Sequence, residues 1–300
     1  MAIYPSVKER IRKLKESYDM LRPGKESLLT LLDEAELPEN VYNSNAIENS
    51  TLTLKETEQI LLDLEVSRKV TVREVYEAKN LGRVIEFKKI KSQDQELSIE
   101  LMFLLHKMLL SGINDTIAGR FRQGNEYVRI GTFIAIPPEH IERRMKEILV
   151  EYSSNFSSYF LEKIARFHLD FETIHPFNDG NGRLGRVLIN YQLLRLGFPR
   201  IIIRQKDKQT YYQSFEVYRN DKKTKLMENT LSLALMESLH KRIAYLKGET
   251  IVSLPDYIRR YKLHASAVFN AARRQTIPAF REKGVWKIAK DQLQNAAEIQ

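Results

Sequence analysis

His175-Pro176-Phe177-Asn178-Asp179-Gly180-Asn181-Gly182-Arg183-Leu184-Gly185-Arg186 is the stretch on which the reading of this chain turns. Before it, residues 160–171 repeat apolar side chains at helical spacing. After it, residues 184–196 are apolar nearly all round, which predicts a buried central helix. The run is therefore a glycine-rich loop that opens a helix. Gly180 and Gly182 permit φ > 0, so successive backbone N–H groups can converge on one anion. The helix N-terminus adds partial positive charge at the same point. Arg183 falls in the first turn and Arg186 three residues on, both able to present planar donors to phosphate oxygens. Asp179 is a hard oxygen ligand suited to Mg²⁺. His175, across the loop, can take a proton from an attacking hydroxyl as a neutral imidazole.

Working outward, the N-terminal half reads as helices over 7–21, 54–64, 72–90 and 99–110, with Pro23-Gly24 and Gly112 as stops. Residues 126–136 are rich in β-formers around Gly131 and predict a short hairpin, closed by Pro137-Pro138. Helices follow over 141–152, 207–220 and 226–246. From about Glu249 the composition shifts to two short helices, 254–261 and 265–275, and a hairpin over 277–288 turning near Lys283-Gly284. Gly248 is then a hinge between a large helical domain and a small C-terminal one.

The 300 residues suffice for one large domain or two unequal ones, and 43% hydrophobic with 29% charged residues is ordinary globular composition. The absence of cysteine excludes disulfides and thiolate metal sites and fits a cytoplasmic setting. No secretory h-region opens the sequence, and no apolar run approaches the ~20 residues of a membrane span. The net charge of +9 suits polyanionic partners, or is simply a basic surface.

The central run resembles the Fic signature HPF-x-[DE]-GNGR-x-x-R at every specified position, and the likeness extends over about 54–245. It implies a mostly α fold: a Fic-type helical core with a β-hairpin flap. The activity implied is transfer of AMP from ATP to a protein Ser, Thr or Tyr hydroxyl. By that resemblance His175 is the general base, Asp179 holds Mg²⁺, and Gly180, Asn181 and Gly182 cradle the α- and β-phosphates. Arg183 contacts the phosphates and Arg186 the γ-phosphate, while Leu184 and Gly185 complete the nucleotide-binding segment. The hairpin Val128-Arg129-Ile130-Gly131-Thr132-Phe133 resembles the flap that holds a target segment by strand addition. Tyr211-Tyr212 match a pair that lines the base in this family, although by residue type they read equally as core aromatics. The family's following Asn is replaced: Asn220 is one residue out of register and Arg219 takes the slot.

Ser44-Asn45-Ala46-Ile47-Glu48-Asn49 resembles the family's inhibitory motif [ST]-x-x-x-E-[GN]. Ser44 and Glu48, four apart, share a face if the segment is helical. The resemblance implies that Glu48 pairs with Arg186 and leaves ATP misaligned, and that a homodimer holds this helix in place. It leaves open a reverse activity, in which Glu48 positions a water that removes AMP.

From Asp256 onward nine Lys/Arg stand against four acids. The helix-turn-helix-hairpin layout resembles a winged helix-turn-helix, a small α/β domain. Residues 265–275 would be its recognition helix, and Arg273 and Arg274 its DNA contacts. The expected division is 1–110 carrying the inhibitory motif, 111–248 the catalytic core and 249–300 the winged-helix-like domain. A DNA-binding regulator that senses nucleotide through the core is the remaining alternative.

Overall fold

The computed structural model describes residues 5–91 and 96–290. The chain runs α1 (Pro5–Leu21), α2 (Glu26–Ile47), α3 (Leu54–Leu61), α4 (Val72–Lys91) and α5 (Ile99–Leu110). A hairpin of β1 (Arg129–Ile130) and β2 (Phe133–Ile134) follows, then α6 (Ile141–Ser154), α7 (Phe160–Ile174), α8 (Asn181–Arg195), α9 (Lys208–Asp221) and α10 (Lys225–Leu246). The chain ends in β3 (Ile251–Ser253), α11 (Leu254–Tyr261), α12 (Ala265–Arg273), β4 (Phe280–Glu282) and β5 (Val285–Ala289). The mostly helical expectation holds.

Packing divides the described residues into two compact units: 37–198 with 202–228, and 5–36 with 199–201 and 229–290. In the first unit α8 packs against α4, α5 and α7. Leu184, Leu188 and Tyr191 of α8 are at most 1% exposed. Burial of such side chains contributes ~1.5–3 kcal/mol each, which anchors the segment carrying Asn181 to Arg186. α8 starts three residues earlier than its apolar pattern suggests, because its first turn is polar.

The hairpin is shorter than the β-rich run implied. Ile130 pairs with Phe133 across a two-residue turn in which Gly131 has φ 60°, and Ala135 N–H donates to the Val128 carbonyl at 3.0 Å. Gly first with positive φ is the pattern of a type II′ turn, which matches strand twist.

In the second unit the sheet order is β3-β5-β4, antiparallel throughout. Strand β3 was not anticipated. The β4–β5 turn is where the sequence placed it, with Lys283 at φ 48° and Gly284 at φ 81°, both positive as a type I′ turn requires. Some of the basic residues from Asp256 onward are engaged within this unit: Arg281 forms an ion pair with Glu237 at 2.6 Å, Lys287 one with Glu282 at 2.5 Å and Arg259 one with Asp256 at 3.5 Å. Arg273 and Arg274 are exposed at the end of α12.

Candidate active site

The chain leaves α7 through His175, whose φ of 50° is left-handed, while its N–H still caps the helix at 2.9 Å from the Phe171 carbonyl. This conformation is uncommon for a residue with a Cβ and is held from outside. Arg122, 2% exposed, donates Nε to the His175 carbonyl at 2.8 Å. It also donates Nη1 to Glu126 O at 2.8 Å and Nη2 to Ile136 O at 3.0 Å. Its own N–H donates to Pro176 O at 2.9 Å. One guanidinium thus ties the His175 turn to both ends of the hairpin. Arg122→Met should destabilise the fold by about 3 kcal/mol or more, since three part-buried carbonyls lose a charged donor. An unchanged urea midpoint would contradict this.

Phe177 is fully buried and stacks on His106, ring centroids 3.9 Å apart. His106 Nδ1 accepts from Gly119 N–H at 2.9 Å, so Nε2 carries the proton and donates to the Asp179 carbonyl at 3.0 Å. A neutral imidazole therefore holds the loop from below.

Gly180 is the N-cap of α8, with φ 77° and no side-chain cap. The first N–H groups of the helix accordingly have no capping side chain to satisfy them, the condition for an anion site. The Asn181 side chain does not face this site. It is 2% exposed and staples the loop, Oδ1 accepting from Phe177 N–H at 3.0 Å and Nδ2 donating to Phe177 O at 2.8 Å. Gly182 is not in the positive-φ region, contrary to expectation, because it already lies in the helix. Its need is space: a Cβ there would stand 2.1 Å from Glu48 Oε1.

Glu48 lies one residue past the end of α2, with Asn49 turning the chain at φ 70°. Its carboxylate pairs with Arg186 Nη2 at 2.9 Å. Arg186 is buried and also donates Nε to Ser44 Oγ at 2.9 Å and Nη2 to the Ser44 carbonyl at 2.8 Å. Glu48 thus stands over the α8 N-terminus, clamped by Arg186.

A cavity of about 360 Å³ opens here, lined by Glu48, His175, Gly182, Arg186 and Tyr212, with Ile130 and Gly131 of the hairpin at its wall. Tyr211 also lines it but is 1% exposed, its hydroxyl 2.7 Å from His168 Nε2, so it is core and wall at once. Tyr212 is 40% exposed and donates to the Ile47 carbonyl at 3.0 Å. Arg219 lines the cavity and sits 5.3 Å over the Phe133 ring, as the register argument placed it. Val128 and Arg129 do not line it; Arg129 instead donates to the Gly131 carbonyl at 2.7 Å.

Outside the cavity wall, Asp179 Oδ1 accepts from Gly180 N–H at 2.6 Å and from Arg183 at 3.2 Å, and Oδ2 meets the Arg73 guanidinium. Its carboxyl lies below its ordinary value: burial opposes ionisation, but Arg183 and Arg73 outweigh it. Arg183 is held between Asp179 and Glu77, each at 3.2 Å. Leu184 belongs to the apolar core, and Gly185 packs against Glu172 and His168 of α7, so neither faces the cavity.

Burial, with Arg122 adding to it, pushes the His175 imidazole down to about 4, so it is a neutral base at physiological pH. Burial likewise pushes His106 and His240 down to about 4 and His168 to about 3, from an ordinary 6.5. Between those values and 6.5 the unfolded chain binds protons that the folded chain refuses, so stability falls as pH drops through this window. Glu172 acts with the opposite sign. Burial, then the Glu48 charge, pushes it from 4.5 up to about 8, so its share is lost as pH rises across that range. Four groups against one predict a thermal midpoint that falls from about pH 7 to about pH 5. A level midpoint over that span would contradict the burial of neutral imidazoles.

Sequence reasoning missed Arg122, His106, Glu77, Arg73, His168 and Glu172. The last two carried a signal: residues 168, 172 and 175 follow i, i+4, i+7 spacing and share one face of α7 with its C-cap.

Residues 96–193 match the Fic/DOC family model. The chain is 28% identical over 244 residues to protein adenylyltransferase fic-1 of Caenorhabditis elegans, covering 79% of this chain and 44% of that protein. It thus spans less than half the length of that curated relative. A Fic-domain-containing signaling protein from Bacteroides thetaiotaomicron superposes with a TM-score of 0.73 at 27% identity, over 80% of this chain and 98% of that one. A Fic family protein from Desulfovibrio desulfuricans shares the fold over 98% of both chains, with a TM-score of 0.69 at 21% identity. With the signature run in place at the head of a buried helix and a glutamate docked on its second arginine, the chain carries a Fic domain, of the Fic/DOC family, over residues 96–193.

Proposed function

We propose that this chain is a protein adenylyltransferase, a nucleotidyltransferase that moves AMP from ATP to a hydroxyl of a target protein and is restrained by its own Glu48. The observation that carries the reading is the Glu48 carboxylate lodged between Arg186 and the α8 N-terminus, beside His175, an anion already bound where a nucleotide's phosphates would lie. In the transfer the target hydroxyl loses its proton to His175 and attacks the α-phosphorus, and pyrophosphate leaves. Gly180 and the first N–H groups of α8 receive phosphate oxygens, and Arg186 receives the γ-phosphate once Glu48 withdraws. The open hairpin edge near Ile130 and Gly131 holds the target strand. Preorganised donors supply most of the rate.

Asp179 fits a divalent cation: its carboxyl is held ionised, and one oxygen already faces a cation, the Arg73 guanidinium. Among the described residues no group of three acidic or histidine side chains could cage a metal alone, so nucleotide oxygens and water would complete the shell. Mg²⁺ bound there supplies charge neutralisation on the departing pyrophosphate.

Incubation with ATP labelled at the α- or the γ-phosphate tests the reaction. Label entering protein from the α position alone supports AMP transfer; label from the γ position alone would mean phosphorylation instead. A second reading, removal of AMP, draws on Glu48 sharing a cavity with His175, because a carboxylate there can hold a water. Release of AMP from a pre-modified protein, lost in Glu48→Gly, would favour it.

The functional division we propose is the inhibitory motif within 1–110, catalysis within 111–248 and a winged-helix-like accessory domain within 249–300. The exposed Arg273 and Arg274 support DNA binding by the last, measurable as a salt-sensitive affinity lost in the double Glu variant. A homodimer rests on the family resemblance alone, and sedimentation measures it.

A further inference from the structure

Near the base of the cavity Glu172 Oε1 and His168 Nδ1 are buried without a hydrogen-bond partner, and His175 Nδ1 has none of good geometry, only the Glu172 main-chain carbonyl beside it. Buried polar groups are rarely left so, and a cluster of them marks a site that completes itself in another state. His168, Glu172 and His175 come from one face of α7. The face opposite is Gly185 of α8, where a Cβ would stand 2.6 Å from Glu172 Oε1 and 2.9 Å from His168 Nδ1. Gly185 is thus the gap that lets a carboxyl group lie between the two helices. Glu172 Oε2 stands 3.8 Å from His175 Nδ1, beyond hydrogen-bond range. Because Nδ1 is buried, Nε2 is the nitrogen left for the cavity that His175 lines.

We propose that Glu172 is the positioning residue of this site: its carboxylate accepts the His175 Nδ1 proton, fixes the ring, and leaves Nε2 bare to take the target hydroxyl's proton. This rests on the adenylyltransferase reading. The arrangement needs no new group, only closure of a slack contact, and catalytic hydrogen bonds commonly tighten when substrate binds. Glu48 opposes it. With burial, its charge holds the proton on Glu172, which makes the carboxyl a poor acceptor; Arg186 pulls the other way. Withdrawal of Glu48 removes one of the two causes that raise the Glu172 carboxyl and leaves Arg186 acting against burial, so the balance moves toward the carboxylate. His168 and Tyr211, the other titratable groups packed here, are bonded to each other at 2.7 Å and both stay neutral through burial. The docked glutamate would thereby act on the base as well as on the nucleotide.

The test uses the full chain carrying Glu48→Gly, with ¹⁵N-labelled histidine. The His175 ring, assigned by its loss in His175→Ala, should be the Nδ1–H tautomer with Nε2 unprotonated. Adding Glu172→Leu should mix the tautomers and lower kcat about tenfold or more, with the nucleotide Kd unchanged. Glu172→Gln keeps an acceptor oxygen and should restore the tautomer and part of the rate. An Nε2–H tautomer in the parent, or Glu172→Leu at the parent's rate, would overturn the inference. If Glu172→Leu does not fold, the tautomer in the parent and in Glu172→Gln decides. If the parent transfers no AMP, the function fails while the tautomer still judges Glu172.

Discussion

Glu48→Gly is expected to raise AMP transfer by about 10- to 150-fold, the rate equivalent of one charge-assisted hydrogen bond of about 1.5–3 kcal/mol. The docked carboxylate takes Nη2 of Arg186 at 2.9 Å and overlies Gly182. Glycine removes the competing anion from both places. It does not unmoor Arg186, which keeps Ser44 Oγ on Nε and the Ser44 carbonyl on Nη2. Its Nη1 has no partner in the docked state and is then free to meet phosphate. A γ-phosphate can therefore enter a site whose arginine is already aimed. Initial rates at saturating ATP measure the gain. A rate equal to the native chain's would mean that Glu48 does not restrain the reaction, and a loss of transfer would mean that it takes part.

His175→Ala in the Glu48→Gly background should cost about 10²–10⁴-fold in transfer, the usual worth of a general base. Nucleotide affinity should hardly change. The groups proposed to meet phosphate come from the α8 N-terminus and Arg186, whereas His175 lies across the loop at the end of α7. The prediction is thus a fall in kcat at constant Kd. A parallel loss of nucleotide binding would place His175 among the phosphate ligands instead.

How much of this was legible in the sequence differs by element. The buried helix α8, the turn at Lys283-Gly284 and α5 were readable because each rests on a local rule: all-round apolarity, positive φ, or a regular 3.6-residue repeat. The loop's residue types pointed to phosphate chemistry before any geometry. The task of each glycine was less legible. Gly180 carries the left-handed turn, but Gly182 and Gly185 are glycines because Glu48 and Glu172 need the space, a fact of tertiary approach. The Asn181 side chain is a loop staple, a task the sequence did not show, since its partner, Phe177, only comes within reach once the loop is folded. Arg122 gave no local signal, because its acceptors are backbone carbonyls up to 53 positions away. Strand β3 went unseen because three residues paired to β5 carry no period of their own.

The most direct test of the central claim is the intact mass of three proteins after incubation with ATP and Mg²⁺: the native chain, Glu48→Gly, and Glu48→Gly with His175→Ala. A restrained transferase predicts one or more AMP adducts on Glu48→Gly, few on the native chain and none on the double variant. Adducts on all three alike, or on none while ATP binding is confirmed, would contradict it.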